Sequence, residues 1–467
     1  MATASHYKRV ISDTQFKTLI ARERADFIKK TPKAANIYET AKSVLHRGVP
    51  MPWMSEWDTP HPLYMDHANG AHLWDVDGNK YVDFCLGDTG SMFGHSPKAT
   101  ADAVIEQINR GITSMLATED ATYVAQDLKR RFNLPFWQIA MTATDANRCV
   151  IRLCRAMTGR PKVLVVNQCY HGTLDESLVK LEDGKVVKRS IFDNHPSVPA
   201  ENIARVVEFN DEAALEKELA HQDVACVLIE PVMTNCGMVL PTPTYHKKLR
   251  ELTKKYGAYL LIDETHTIST GPGGYTAAYG LEPDLLVLGK AIAGGIPCAA
   301  YGFTQAFLDD FNQKLSALGT PETAFGEMGI GGTLSANALV VHAMRATLEH
   351  VATDAAYAHM IRGTNRLADG LEHSIAKHKL PWSVTRCGAR AELQFCPTLP
   401  QNGAESVEVL DWDLIIYTHT YLMNRGAMIT PFHNMMLVSP VTTDADIDLL
   451  IAGWDSCMEE LARLSVS

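Results

Sequence analysis

The sequence predicts an α/β protein, with a mostly parallel sheet in a large domain and a small α+β domain drawn from both ends of the chain. Three observations lead there. Short apolar runs alternate with amphipathic stretches through the middle, a hairpin pattern precedes them, and long helical patterns ending in short strands follow. The boundaries this implies are 1–96 for the N-terminal segment and part of the small domain, 97–345 for the large domain, and 346–467 for the rest of the small one.

Residues 1–30 read as a charged helix (FKTLIARERADFIKK), without the apolar core and small-residue cleavage site of a signal peptide. HLWDVDGNKYVDF at 72–84 places aromatic and branched residues around Asp77-Gly78, a hairpin signal. From about 135 to 303 the strands are 138–141, 162–166, 224–229, 259–262, 285–288 and 298–303, and the helices include 144–158 and 245–256. Helical patterns at 335–350 and 355–378 then lead into ARAELQF and MITPFHNMMLVSP, which read as strands of the small domain.

Of the 467 residues 46% are hydrophobic, enough for a substantial core, and the net charge of -11 argues against nucleic-acid or anionic-membrane surfaces. The apolar runs are strand-length, far short of the ~20 residues that span a bilayer. A small-molecule substrate is expected, with no nucleic acid or membrane as partner. Ten scattered cysteines form no CxxC pair and read as reduced core thiols of a cytoplasmic protein. No histidine spacing matches a metal site, so none is expected.

Four strand ends carry chemistry. The run Leu285 to Leu288 ends in Gly289-Lys290, which puts a lysine where open α/β sheets bind ligands. Desolvated beside another cation, such an amine loses its proton and attacks aldehydes; a solvated lysine at a strand end is the plainer alternative. The next strand, from Tyr259, delivers Asp263-Glu264-Thr265-His266. Asp263 can face a pyridine nitrogen and keep it protonated, while Glu264 points to the opposite face; a helix-capping acid pair is the other reading. Met141-Thr142-Ala143-Thr144-Asp145 opens a helix whose amides suit a phosphate, with the Thr142 and Thr144 hydroxyls as further donors, although such residues also serve merely as caps. After strand 162–166, Tyr170 in Cys169-Tyr170-His171-Gly172 could lie over a flat heterocycle or simply pack in the core.

In order, Thr142-Ala143-Thr144, Tyr170-His171-Gly172, Glu230-Pro231-Val232, Asp263-Glu264, Gly289-Lys290 and Gly332-Thr333-Leu334-Ser335 resemble the class III aminotransferases of fold-type I. The resemblance is strongest to the branch with glutamate-1-semialdehyde 2,1-aminomutase and the transaminases of β-amino acids and bulky amines. It implies pyridoxal 5'-phosphate as cofactor, bound through Lys290, which also shuttles the proton. It further implies that Asp263 pairs with the pyridine nitrogen, Tyr170 stacks on the ring, and Ala143 and Thr144 hold the phosphate. By the same resemblance, Glu230 and Asn235 would help hold the phenolic oxygen and the substrate side of the pocket, and Thr333 would reach the phosphate of a neighbouring subunit, which implies a homodimer with shared active sites.

The departures are informative. Ala143 replaces the glycine usual in the phosphate loop, Thr265 replaces the valine under the ring, and His266 stands where glutamine or methionine is common, tuning the cofactor or substrate or else only packing. The aminomutase grips its substrate carboxylate with an arginine that residues 48–54 lack. Trp53, Met54 and Trp57 suggest an apolar wall, although Trp53 also fits a core position. The resemblance implies that loops around Trp53, Asp88 and residues 432–434 shape the substrate pocket. Arg390 is the candidate for a carboxylate, unless it only forms a surface bridge with Glu392. The expected reaction is a ping-pong transfer from an amine or β-amino acid, bulky ones included, to a keto acid such as pyruvate. An aminomutase or racemase is the alternative, and a catalytically silent cofactor-binding protein the alternative from another class.

Overall fold

The computed structural model describes residues 13–189, 198–319 and 328–465. The larger of two compact units comprises Lys98–Asp354 with Gln401–Ser406. The expected boundary at 345 falls inside the helix Ala338–His350, and the division lies after Asp354 instead.

The unit is built on seven strands, β1 Phe136–Ala140, β2 Lys162–Val166, β3 Ala204–Val207, β4 Val224–Ile229, β5 Tyr259–Asp263, β6 Leu285–Leu288 and β7 Ala299–Phe303, in the order β1-β7-β6-β5-β4-β2-β3. All six residues of β4 (VACVLI) and all four of β6 (LLVL) are buried, as expected of strands covered on both faces. Each such Val, Leu or Ile contributes roughly 1.5–3 kcal/mol by leaving water. β7 was expected among the parallel strands and is corrected here: it runs antiparallel to β6 and β1. A parallel return needs a crossover of about a dozen residues or more, usually with a helix, and residues 289–298 contain only a short 3-10 turn.

The remaining strands share one direction, so their carboxyl ends open along one edge of the sheet. Helix α1, Ala143–Thr158, starts at that edge behind Thr142, whose hydroxyl accepts from the Asp145 amide at 3.2 Å. It buries Ala146, Val150, Leu153 and Cys154 in the core and ends at Gly159, whose φ of 69° suits a left-handed cap.

The second unit takes Met1–Pro97, Ala355–Pro400 and Val407–Ser467. It holds the helix Asp13–Lys30, a four-stranded sheet containing the expected hairpin (His72–Asp75 with Lys80–Asp83), and a three-stranded sheet of Ser383–Cys387, Arg390–Gln394 and Met435–Leu437. The hairpin turn is stapled by Asp75, whose carboxylate accepts from the amides of Asp77 (3.0 Å) and Asn79 (2.8 Å). Among the described residues no helix is long and apolar enough to cross a membrane.

Candidate active site

At the end of β5, Asp263 is 5% exposed and surrounded by donors. His171 Nδ1 lies 2.9 Å from Oδ2, Asn147 Nδ2 donates to the same oxygen at 3.0 Å, and the Thr265 amide donates to Oδ1 at 3.0 Å. Burial alone would raise its pKa, but these bonds and the charge of His171 outweigh it and hold the carboxyl at about 2. His171 shifts the other way: burial opposes its charge, yet Cys169 and Asp263 raise it to about 10. Glu230, at the end of β4, is buried within electrostatic reach of both; burial raises its pKa although Thr234 Oγ1 and Asn235 Nδ2 (2.9 Å) donate to it.

Lys290 stands one residue beyond the β6 terminus, after Gly289, with a φ of 52°, a left-handed conformation that is uncommon in a residue other than glycine. Its Nζ lies 2.9 Å from His266 Nε2, and His266 is 6% exposed. Glu264 does turn away from Asp263, being buried and accepting from Thr267 Oγ1 and from the amides of Tyr275 (3.1 Å) and Thr276.

The segment expected to hold a phosphate, Thr142-Ala143-Thr144, differs in detail from the sequence-based expectation. The hydroxyls of Thr142 and Thr144 are engaged within the chain, the first with Asp145 and the second accepting from the Thr173 amide at 3.1 Å. The amides of Ala143 and Thr144 make no hydrogen bond among the described residues, and these are the donors an anion would find. The extra methyl of Ala143 is matched by a glycine opposite: a Cβ at Gly289 would stand 3.0 Å from the Ala143 Cβ and 3.4 Å from Thr265 Oγ1.

The arrangement fits a flat anionic aldehyde such as pyridoxal phosphate. Three buried polar atoms without a hydrogen-bond partner among the described residues, Asn147 Oδ1, His171 Nε2 and Thr265 Oγ1, belong to the residues that hold Asp263. Asn147 and the aspartate-binding role of His171 escaped the sequence reading. The signal for Asn147 is an amide within the buried stripe of α1; that for His171 is an imidazole immediately after Tyr170, which is half-buried. Thr333 is exposed in the turn before the helix Ala338–His350.

Trp53, Asp88 and Arg390 belong to the second unit. Arg390 is 1% exposed, with Nη2 donating to Thr89 Oγ1 and Nη1 lying 3.3 Å from Met435 Sδ. The surface bridge to Glu392 is thereby corrected: both residues are buried, and Glu392 binds His433 Nδ1 at 2.8 Å instead. Burial disfavours the His433 charge, but Glu392 and Asp88 outweigh this and raise its pKa. Leu86, Gly87, Asp88 and Thr89 all have positive φ, a strained run of the kind that gathers at functional sites. Trp53 is not core: it is half exposed and meets Phe432 edge-to-face at 4.7 Å.

Comparisons with known proteins agree with this geometry. The aminotransferase class-III family matches residues 53–456. A glutamate-1-semialdehyde 2,1-aminomutase from Persephonella marina is 30% identical over 92% of this chain and 100% of its own. A solved structure of a glutamate-1-semialdehyde-aminomutase from Pseudomonas aeruginosa PAO1 superposes with a TM-score of 0.93 and 46% identity, covering 97% of this chain and 99% of that one, and a lysine-to-alanine variant of it was solved with PMP. An omega-transaminase from Sphaerobacter thermophilus reaches 0.83 and 27%, covering 93% and 99%. With Lys290, Asp263 and the open amides of α1 at one sheet edge and the family matched over most of its length, the chain belongs to the class-III aminotransferases, pyridoxal-phosphate-dependent enzymes of fold-type I.

Proposed function

We propose that this enzyme exchanges an amino group within a single substrate, as an aminomutase does. The observation that carries this reading is the 46% identity, over 97% of the chain, to a protein named for that reaction, against 27% for the omega-transaminase. It was the alternative in the sequence reading, and the relatives favour it over transfer between two substrates. One observation still supports the second reading: residues 48–54 contain no arginine to hold a substrate carboxylate. The exposed Trp53 beside Phe432 would suit an amine or β-amino acid donor, with a keto acid as acceptor.

When bound, pyridoxal phosphate supplies an aldehyde for the amine and a ring that accepts electrons from the adjacent carbon. Lys290 would carry it and afterwards move a proton between carbons with its free amine. Asp263, held ionised by His171, Asn147 and the Thr265 amide, would keep the ring nitrogen protonated. The amides of Ala143 and Thr144 would bind the phosphate, Tyr170 would cover one ring face, and Glu230 with Asn235 would border the phenolic oxygen. Arg390, buried and oriented by Thr89, is the proposed carboxylate ligand. Thr333 would serve the phosphate of a second copy.

The test is to incubate the cofactor-loaded protein with glutamate-1-semialdehyde in the absence of any keto acid, and separately with a panel of amines with and without pyruvate. Catalytic formation of the amino-ketone isomer without an acceptor establishes the first reading. Turnover only when pyruvate accompanies an amine establishes the second, and no turnover or spectral change in either arm returns the silent cofactor-binding protein.

A further inference from the structure

The geometry points to His266 as the proton partner of Lys290, a positioning residue that takes a proton from the lysine amine as it attacks the cofactor and hands it back afterwards. The inference rests on the reading of Lys290 as the lysine that captures the cofactor and moves the proton.

Two adjacent parallel strands create the contact. β5 and β6 are in register with Asp263 opposite Val287, and each continues past its end, one to His266 and the other to Lys290. There His266 Nε2 and Lys290 Nζ stand 2.9 Å apart, and the imidazole is buried, which limits the water that could take its place. The left-handed backbone at Lys290 is uncommon for a residue with a Cβ and needs surroundings that hold it.

A lysine ammonium has no lone pair, so it can neither attack an aldehyde nor take a proton from carbon. An imidazole with its Nδ1 protonated has a lone pair on Nε2, the atom facing Nζ. The transfer is balanced: an N–H bond breaks at Nζ and one forms at Nε2, the positive charge moves from lysine to histidine, and the lone pair left on Nζ becomes available. Reversal returns the proton. Glutamine and methionine, the residues common at this position among the proteins the chain resembles, cannot accept that proton near neutral pH.

The test uses the capture of cofactor by the cofactor-free full-length protein. Saturating pyridoxal phosphate is added at neutral pH, capture is followed by absorbance, and borohydride reduction followed by mass analysis locates the adduct. His266→Gln keeps a polar side chain of similar reach, and should slow the saturated capture step at least about tenfold while leaving the melting temperature of the cofactor-free protein near that of the wild type. His266→Ala should be slow as well, and added imidazole should recover part of the rate. Capture by His266→Gln at the wild-type rate overturns the inference, as does a folded His266→Ala that imidazole does not accelerate. Should His266→Ala fail to fold, the glutamine variant alone decides. A wild-type protein that forms no adduct on Lys290 would instead sink the reading of Lys290, so the two failures are told apart.

Discussion

Asp263 stays ionised because three donors outweigh the cost of burying its charge, and this makes the cluster visible in stability as a function of pH. A carboxyl held at about 2 contributes stability that is complete above its ordinary value near 3.8 and is lost as pH falls through 2. The histidine runs the other way. Raised from 6.5 to about 10, His171 contributes stability that is complete below 6.5 and drains away as pH rises towards 10, by up to about 1.4 kcal/mol per pH unit for one proton. Thermal melting of the cofactor-free protein between pH 6.5 and 10 should therefore show an alkaline decline that is shallower in Asp263→Asn, which removes a bonded partner raising His171. Equal slopes in the two proteins would mean that the pair is not charged as described. Asp263 and Lys290 were legible in the sequence because each stands at the end of an apolar strand run, Lys290 one glycine beyond it. Asn147 was not, because its helix position reads as one more place on a buried face, and only the fold brings it to Asp263.

The elements were legible where burial is complete. Runs such as VACVLI and LLVL have no competing interpretation, and β2, β4 and β6 lie at the residues expected. β3 was missed because four residues interrupted by Arg205 carry too little apolar pattern, and the direction of β7 was misread because it depends on the length and content of the preceding loop, not on the strand itself. The loop after β2 shows how tightly neighbouring elements are coupled at the site. Gly172 has a φ of 91°, and a Cβ there would fall 2.1 Å from Thr144 Oγ1, in the first turn of α1. Gly184 is a useful comparison, with a φ of 74° and nothing within 4 Å of its would-be Cβ. Replacing Gly184 by alanine should cost only the backbone term, about 1 kcal/mol. Gly172→Ala adds a clash that must displace Thr144, and should cost about 2 kcal/mol more and weaken cofactor retention. Denaturant unfolding of the two variants, with dialysis to measure retention, checks this; equal losses would show that the approach to Thr144 is not tight.

At the scale of the molecule, the substrate was the least legible feature. Trp53, Asp88 and Arg390 lie in the second unit, in sequence contexts without a strand-end signature, and the burial of Arg390 emerges only when Thr89 and Met435 are brought to it.

The surface of the larger unit carries a further consequence. Ile105, Ile108, Met115, Leu116 and Leu334 are at least half exposed, with Met115 at 76%, and Leu334 is the chain neighbour of Thr333. Apolar side chains that lie together on a surface mark a contact, and these five are the ones to test for it. A second copy is the occupant we propose, since the resemblance would put the Thr333 hydroxyl at the phosphate of a neighbouring subunit. The double variant Met115→Asp, Leu116→Asp puts two charges into such a contact without touching the residues around Lys290. Sedimentation should find the wild type as a dimer and the variant shifted to monomer at micromolar concentration, with cofactor retention reduced because each phosphate has lost the Thr333 of its partner copy. A variant that stays dimeric would show that these side chains are not what joins the copies. A monomer that retains cofactor as tightly as the wild type would separate the two ideas, leaving the interface in place and removing Thr333 from the phosphate site.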